Sequence, residues 1–272
     1  MTQHTHETPT IELASGVEMP VLGLGTWQLT GEDAVEGTKH ALQLGYRLID
    51  TAVDYENQEQ IGEGLRACEV NRDDVFLVSK VEEDEDTHAA TRERVEQLGV
   101  DRLDLCLIHR PPPDGAGEEL WDGLIEARRE GLTGEIGVSN YSPEQLDLLI
   151  EVSGETPAVN QIEWSPFGHS DEVMDHAKRD GVAIQAYSPL TRRERLDDDE
   201  VEAIADRHGK TPAQVLLRWS IQSGAAPVPK AAKPEHREED LHVFDFELDE
   251  SEMEALEGLN EHYSSLGGLQ YL

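Results

Sequence analysis

The feature that most limits what this chain can fold into is a repeated alternation of short aliphatic, β-branched runs with longer stretches of helical apolar spacing. The strand-like runs fall at 21–24, 46–50, 75–80, 103–108, 134–138, 158–162, 182–187 and 226–229. The helical stretches fall at 32–44, 57–67, 87–98, 118–130, 143–153, 171–180, a pair across 198–223, and 235–241 with 249–259. Strands that each hand over to a helix need crossover connections and therefore pair in parallel. Eight such units in 272 residues predict a single α/β domain, a (β/α)8 TIM barrel. A doubly wound sheet is the competing arrangement. It wants a glycine-rich turn opening the first helix, and Gly23-Leu24-Gly25-Thr26-Trp27-Gln28 lacks the third glycine.

Ahead of the alternation, Ile11-Glu12-Leu13 and Val17-Glu18-Met19 flank Ala14-Ser15-Gly16, which predicts a short N-terminal β-hairpin. Residues 1–9 read as a flexible tail and 10–272 as one barrel domain. His4 and His6 in that tail read as solvated side chains, and no metal site is expected anywhere in the chain.

In a parallel barrel the residues at the C-terminal ends of the strands face the active site. Asp50 ends the second strand-like run, Lys80 the third, and His109 follows the fourth, so the three should be neighbours around the rim. Tyr55, on the loop after the second run, can reach the same space. A lone ammonium after an apolar run costs several kcal/mol to bury, so Lys80 is expected to pair with Asp50. A purely structural ion pair is the alternative.

Charge narrows the partners. The chain has 58 acidic residues against 22 Lys and Arg, a net charge of −36. Such a surface repels nucleic acid and anionic membrane, and its self-repulsion is relieved by salt. A folded protein of a high-salt interior, part of an acidic, halophilic proteome, is the expectation. Two cysteines suggest no disulfide framework, and Met1 to Thr10 lacks the apolar core of a signal peptide, so a cytoplasmic location is expected.

Against that background the basic groups stand out. Arg192, Arg193 and Arg195 follow the seventh run, and Lys230, Lys233 and Arg237 follow the eighth. Loops at those two places commonly hold phosphate in barrels, so an anionic cofactor is one reading. Local pairing to Asp197–Glu200 and to residues 235–240 is the other. Tyr187 at the seventh mouth could stack on a planar ring, while Ser139, Asn140 and Gln161 at the fifth and sixth suit a ligand bearing an amide.

These residues sit in segments similar to those of a known family. GLGTWQL (23–29), GYRLIDTAVDYEN (45–57), LVSKV (77–81), DLCLIHRP (104–111), GEIGVSN (134–140), VNQIEWSP (159–166), QAYSPL (185–190), KTPAQVLLRW (210–219) and VFDFEL (243–248) resemble the aldo-keto reductases, in order, over about residues 11–259. The resemblance implies a barrel with an N-terminal hairpin and NADP- or NAD-dependent interconversion of aldehydes or ketones with alcohols. It implies a catalytic tetrad of Asp50, Tyr55, Lys80 and His109, with His109 and Trp27 also touching a small carbonyl substrate. It assigns cofactor contacts to Thr26, Trp27, Ser139, Asn140, Gln161, Tyr187, Ser188 and Leu190, and to the segment holding Lys230, Lys233, Arg237, Glu239 and Asp240. In that scheme Lys80 lowers the pKa of the Tyr55 phenol and so equips it as proton donor. Departures are present: Ala231 follows Lys230, His236 stands where the family has an arginine, and Glu239-Asp240 replaces Glu-Asn. NADPH is favoured over NADH, and a monomer is expected. A cofactor-binding regulatory barrel without turnover is the reading from another class.

Overall fold

The structure, a computed structural model, describes residues 8–272. The first seven residues of the expected tail, with His4 and His6, lie outside the described residues. Thr8 and Pro9, expected in that tail, are tied to the body: Thr8 is buried, and Pro9 O accepts from Val21 N at 2.9 Å.

The expected alternation is the observed one. After the antiparallel hairpin of β1 (Thr10–Glu12) and β2 (Glu18–Pro20) come β3 (Leu24–Gly25), α1 (Gly31–Leu44), β4 (Leu48–Asp50), α2 (Gln58–Arg66), β5 (Phe76–Val81) and α3 (Thr87–Leu98). Then follow β6 (Leu103–Ile108), α4 (Glu118–Arg129), β7 (Thr133–Ser139), α5 (Pro143–Ser153), β8 (Val159–Glu163), α6 (Asp171–Asp180) and β9 (Ala183–Tyr187). The chain continues through α7 (Asp199–His208), α8 (Pro212–Gln222), β10 (Ala225–Pro227), α9 (Pro234–Leu241) and α10 (Glu250–Glu257). Strands β3 to β10 lie side by side in chain order, all parallel. The sheet curls until its edges meet, where Gly25 bridges Lys230 and Gly23 N donates to Pro227 O at 3.0 Å.

That seam is where the strands are shorter than expected. Pro227 and Pro229 carry no N–H, so only their carbonyls can pair, and regular strand structure stops early on both sides. Gly25 permits the approach: a Cβ there would lie 2.5 Å from Val228 O.

Side chains alternate between the faces of a strand, which sorts the barrel interior by depth. Leu48, Val78, Leu107 and Val159 belong to one apolar cluster with Leu13 and Met19 of the hairpin segment. Two residues further along the same faces stand Asp50, Lys80, His109 and Gln161. The interior is therefore apolar towards the hairpin and polar at the opposite mouth. Among the described residues no helix is long and apolar enough to cross a membrane.

The helices pack closely around this barrel. Gly62, in the interior of α2, faces the end of α3, and a Cβ there would come within 2.0 Å of Leu98 O. Helix propensity alone favours alanine over glycine by about 1 kcal/mol. The steric term should win: Gly62→Ala is expected to lower stability by about 1–3 kcal/mol in thermal or urea unfolding, and an unchanged or raised melting temperature would show that the two helices are not held this close.

Candidate active site

The mouth of the barrel is built around one ammonium group. Lys80 is fully buried, and its Nζ donates to both carboxylate oxygens of Asp50 at 2.9 Å, to Thr51 O at 3.0 Å and to Tyr55 Oη at 3.4 Å. Strand pairing brings these together: β4 and β5 are in parallel register, Asp50 opposite Val78, so Lys80 stands two residues beyond, on the same face. Tyr55 arrives on a single 3₁₀ turn, Val53–Tyr55, closed by Glu56 in the left-handed region at φ 52°. A one-turn element of this kind has no periodicity for the sequence to reveal.

Asp50 is held from a second side. Gln161 Nε2 donates to its Oδ2 at 2.7 Å and also to Gln185 Oε1. Thr26, expected to contact the cofactor, is fully buried and donates through Oγ1 to Asp50 O at 2.9 Å, so it supports the acid. Three hydrogen bonds, two from Lys80 and one from Gln161, end on the Asp50 carboxylate and offset its removal from water.

The sequence reading expected Lys80 to bring the Tyr55 phenol below its ordinary pKa. The structure gives the opposite direction. Burial pushes Tyr55 up, and Asp50 and Glu82 add to the rise, while Lys80 pulls down without offsetting it. The main reason is burial of the phenol, which disfavours its charged form, and the Asp50 charge offsets part of the pull of Lys80. Lys80 itself is raised, because the charges and hydrogen bonds of Asp50 and Tyr55 outweigh the burial that works against it. The phenol is therefore protonated at neutral pH, and Lys80 reduces the cost of its losing the proton rather than abolishing it.

His109 lies one residue past β6, with its ring 6.2 Å from that of Tyr55 and nearly perpendicular to it. Its Nδ1 is 2.6 Å from Glu82 Oε1. Burial works against the Glu82 charge, but the hydrogen bond to His109 and the charges of His109, Arg110 and Lys80 hold the carboxyl below its usual value. The sequence reading did not single out Glu82; the available signal was its place two residues after Lys80, on the same face of the chain.

The amide-bearing groups form one network. Ser139 Oγ donates to Gln161 O at 2.7 Å, and Asn140 Nδ2 donates to His109 O at 3.1 Å and Ser139 Oγ at 3.0 Å. Tyr187 OH donates to Asn140 Oδ1 at 2.7 Å. Asn140 sits in the left-handed region at φ 67°, a conformation its short polar side chain tolerates. The three residues expected to suit an amide, and Tyr187 expected to stack on a ring, are thus brought together, with Ser139, Asn140 and Tyr187 bonded to one another or to the Gln161 backbone and the Gln161 side chain bonded to Asp50 and Gln185.

Beside this mouth runs a cleft of about 630 Å³, starting at Gly25 and lined by Trp27, Ser188, Leu190, Lys230, Glu239 and Asp240 among the expected residues. Arg192, Arg193 and His236 line it as well. Arg192 and Lys230 lie over the Trp27 ring, 4.6 and 5.7 Å from its centroid, and Lys230 donates to Gln28 Oε1 at 2.8 Å. Several cations in one cleft of so acidic a chain fit an anionic ligand such as a dinucleotide. In the segment after β10, two expected contacts are not among the residues that line the cleft. Arg237 is buried and donates to Ala231 O at 2.7 Å and Ala232 O at 3.1 Å, bracing the turn into α9. Lys233 is exposed at the start of α9.

Parallel barrel, apolar floor and a buried acid, amine, phenol and imidazole at the mouth define a barrel of the enzyme type, with its chemistry at the strand ends. The sequence model of the Aldo/keto reductase family matches residues 21–261, and the chain belongs to that family. An aldo-keto reductase of Mycolicibacterium smegmatis is 43% identical over 258 residues, 93% of this chain and 94% of that protein. Glyoxal reductase of Bacillus subtilis is 39% identical over 257 residues, 93% of each. The crystal structure of a Bombyx mori aldo-keto reductase in complex with NADP superposes with a TM-score of 0.90 at 31% identity, covering 95% of both chains.

Asp240 supplies a test of the cleft that needs no substrate. Burial, and then the charge of Glu239, push its carboxyl from 3.8 to about 8. Between those values the folded chain holds a proton that the unfolded chain has released, so stability falls as pH rises across the interval. Asp240→Asn removes that slope. The variant should match the parent near pH 4 and exceed it by a few kcal/mol, in order of magnitude, at pH 8. Equal melting temperatures at both pH values would contradict the buried, proton-holding carboxyl.

Proposed function

We propose that this chain reduces small aldehydes and ketones to alcohols, reversibly, with NADPH or NADH. The observation that supports this best is the contact of Lys80 Nζ with both Asp50 and Tyr55 Oη. A carbonyl that accepts hydride becomes an alkoxide and needs a proton within hydrogen-bond reach. When bound, the reduced nicotinamide supplies the hydride. Tyr55 is the proton donor in this reading, passing the hydroxyl hydrogen to the alkoxide oxygen. Lys80 stabilises the phenolate left behind, and Asp50 keeps Lys80 in place. His109 and Trp27 orient the carbonyl.

Ser139, Asn140, Gln161 and Tyr187 would meet the nicotinamide end, and Ser188, Leu190, Lys230, Glu239 and Asp240 the remainder of the dinucleotide. The cations of the cleft, and the NADP of the Bombyx mori relative, support NADP over NAD. With Arg237 bonded to its own segment, Lys230, Arg192, Arg193 and His236, which line the cleft, would be the groups to meet an added phosphate.

Tyr55→Phe should cut aldehyde-dependent consumption of the reduced cofactor by about 10²-fold or more while cofactor binding, followed by fluorescence, is kept. Wild-type turnover in that variant would remove Tyr55 from the mechanism. For the setting of the enzyme, the charge of −36 supports a cytoplasm rich in salt. Its melting temperature should climb by roughly 10 °C between 0.1 and 2 M KCl, and a value independent of salt would exclude that habitat.

A further inference from the structure

The pairing of His109 with Glu82 has a chemical consequence. Histidine has two ring nitrogens, and here Nδ1 faces a carboxylate oxygen at 2.6 Å. A carboxylate held in its charged form only accepts, so Nδ1 carries the hydrogen and donates it. In the neutral ring that leaves Nε2 with a lone pair and no hydrogen. Such a nitrogen cannot donate to a carbonyl oxygen and repels the lone pairs of one. Nε2 becomes a donor only when the ring holds both hydrogens and a positive charge. Glu82 is the group that compensates that charge, and it is well placed to do so: its side chain and that of His109 are 12% and 10% exposed, where water weakens the interaction little.

We propose that Glu82 is a positioning residue that holds His109 in the Nδ1–H form and supports its doubly protonated state, so that Nε2–H can donate to the substrate oxygen. The inference rests on the carbonyl-reductase reading of the site. Lys80 and Glu82, two residues apart on one strand end, then divide the work: the ammonium attends to the phenol and the carboxylate to the imidazole. Other charges face the same space. Arg110 lies 3.7 Å from Glu82 and 3.7 Å from Asp54, a second carboxylate with an oxygen within 4.8 Å of a His109 ring nitrogen and of Glu82, while Tyr55 stands between His109 and the Lys80–Asp50 pair. Arg110 is partly exposed and at longer range, so His109 keeps the stronger claim on Glu82.

Glu82→Gln is the discriminating change, because the amide oxygen still accepts from Nδ1 while the charge is gone. The pH dependence of kcat for aldehyde reduction should keep its shape, with its alkaline fall moved to lower pH by about one unit or more. Activity lost at pH 7.5, about tenfold, should return as the pH is lowered. Glu82→Leu, which also removes the acceptor, should lose rate at every pH without that recovery. Unchanged affinity for NADPH in both variants reports that they are folded. A Glu82→Gln profile that superimposes on the parent's, or that is lowered by one factor at all pH values, would overturn the proposal.

The second readout does not need turnover. In ¹⁵N-labelled protein the His109 ring signals, assigned by their absence in His109→Gln, should show Nδ1 protonated throughout and Nε2 titrating, with the midpoint lower in Glu82→Gln. A His109 ring that carries its neutral-state hydrogen on Nε2 would refute the pairing even in an active enzyme. A parent protein that turns over no aldehyde, yet shows the expected ring signals, would instead fault the reductase reading and leave the Glu82–His109 pair standing.

Discussion

The mouth of this barrel depends on one buried ion pair. Removing a lysine wholly from water is costly, and a single carboxylate rarely compensates unless its remaining lone pairs are also satisfied. Here Asp50 meets both requirements, taking Lys80 on two oxygens and Gln161 on one, while Thr51 O takes a further hydrogen of the ammonium. Either partner left alone would be an uncompensated charge in a nearly dry interior. The pair is thus a structural commitment as well as a chemical one, and the phenol that leans on it inherits its rigidity.

The direction of the Tyr55 shift follows from the same commitment. An ammonium free of partners would make the phenol markedly more acidic; one already clamped by Asp50 has less field to offer, and burial wins. In the proposed reduction, a donor that keeps its proton until negative charge develops beside it suits the quenching of an alkoxide. What Lys80 would contribute to that proposed step is a lower cost for the charged phenolate, since its charge pulls the Tyr55 pKa down. The network of Ser139, Asn140, Gln161 and Tyr187 braces the opposite side of the mouth, so that strands β4 to β9 are joined through side chains as well as through their backbones.

Charge is partitioned across the molecule. A chain with 36 more acidic than basic charges nevertheless gathers Arg192, Arg193 and Lys230 along one cleft, two of them against the face of Trp27. Cations over an aromatic ring gain attraction without an acid beside them, which keeps them available to an anion. Arg237 shows the limit of reasoning from type alone. Its guanidinium, a natural phosphate ligand, is turned inward onto the carbonyls of Ala231 and Ala232, and Tyr46 OH donates in turn to its own backbone oxygen.

The alternation of strands and helices, the hairpin, the strand-end placement of Asp50, Lys80 and His109, and the family were all legible in the sequence, because period two, period 3.6 and ordered motifs are local properties of a chain. Those signals determined that an acid, an amine and an imidazole would crowd one mouth. Distances decided the rest. That Arg237 bonds the carbonyls of Ala231 and Ala232, that Thr26 props Asp50, that the phenol moves up, and that Glu82 meets His109 Nδ1 all turn on ångströms between segments that the sequence pattern does not relate. Electrostatic and hydrogen-bond energies fall steeply over such distances, and no run of residues encodes them; only closing the barrel sets them.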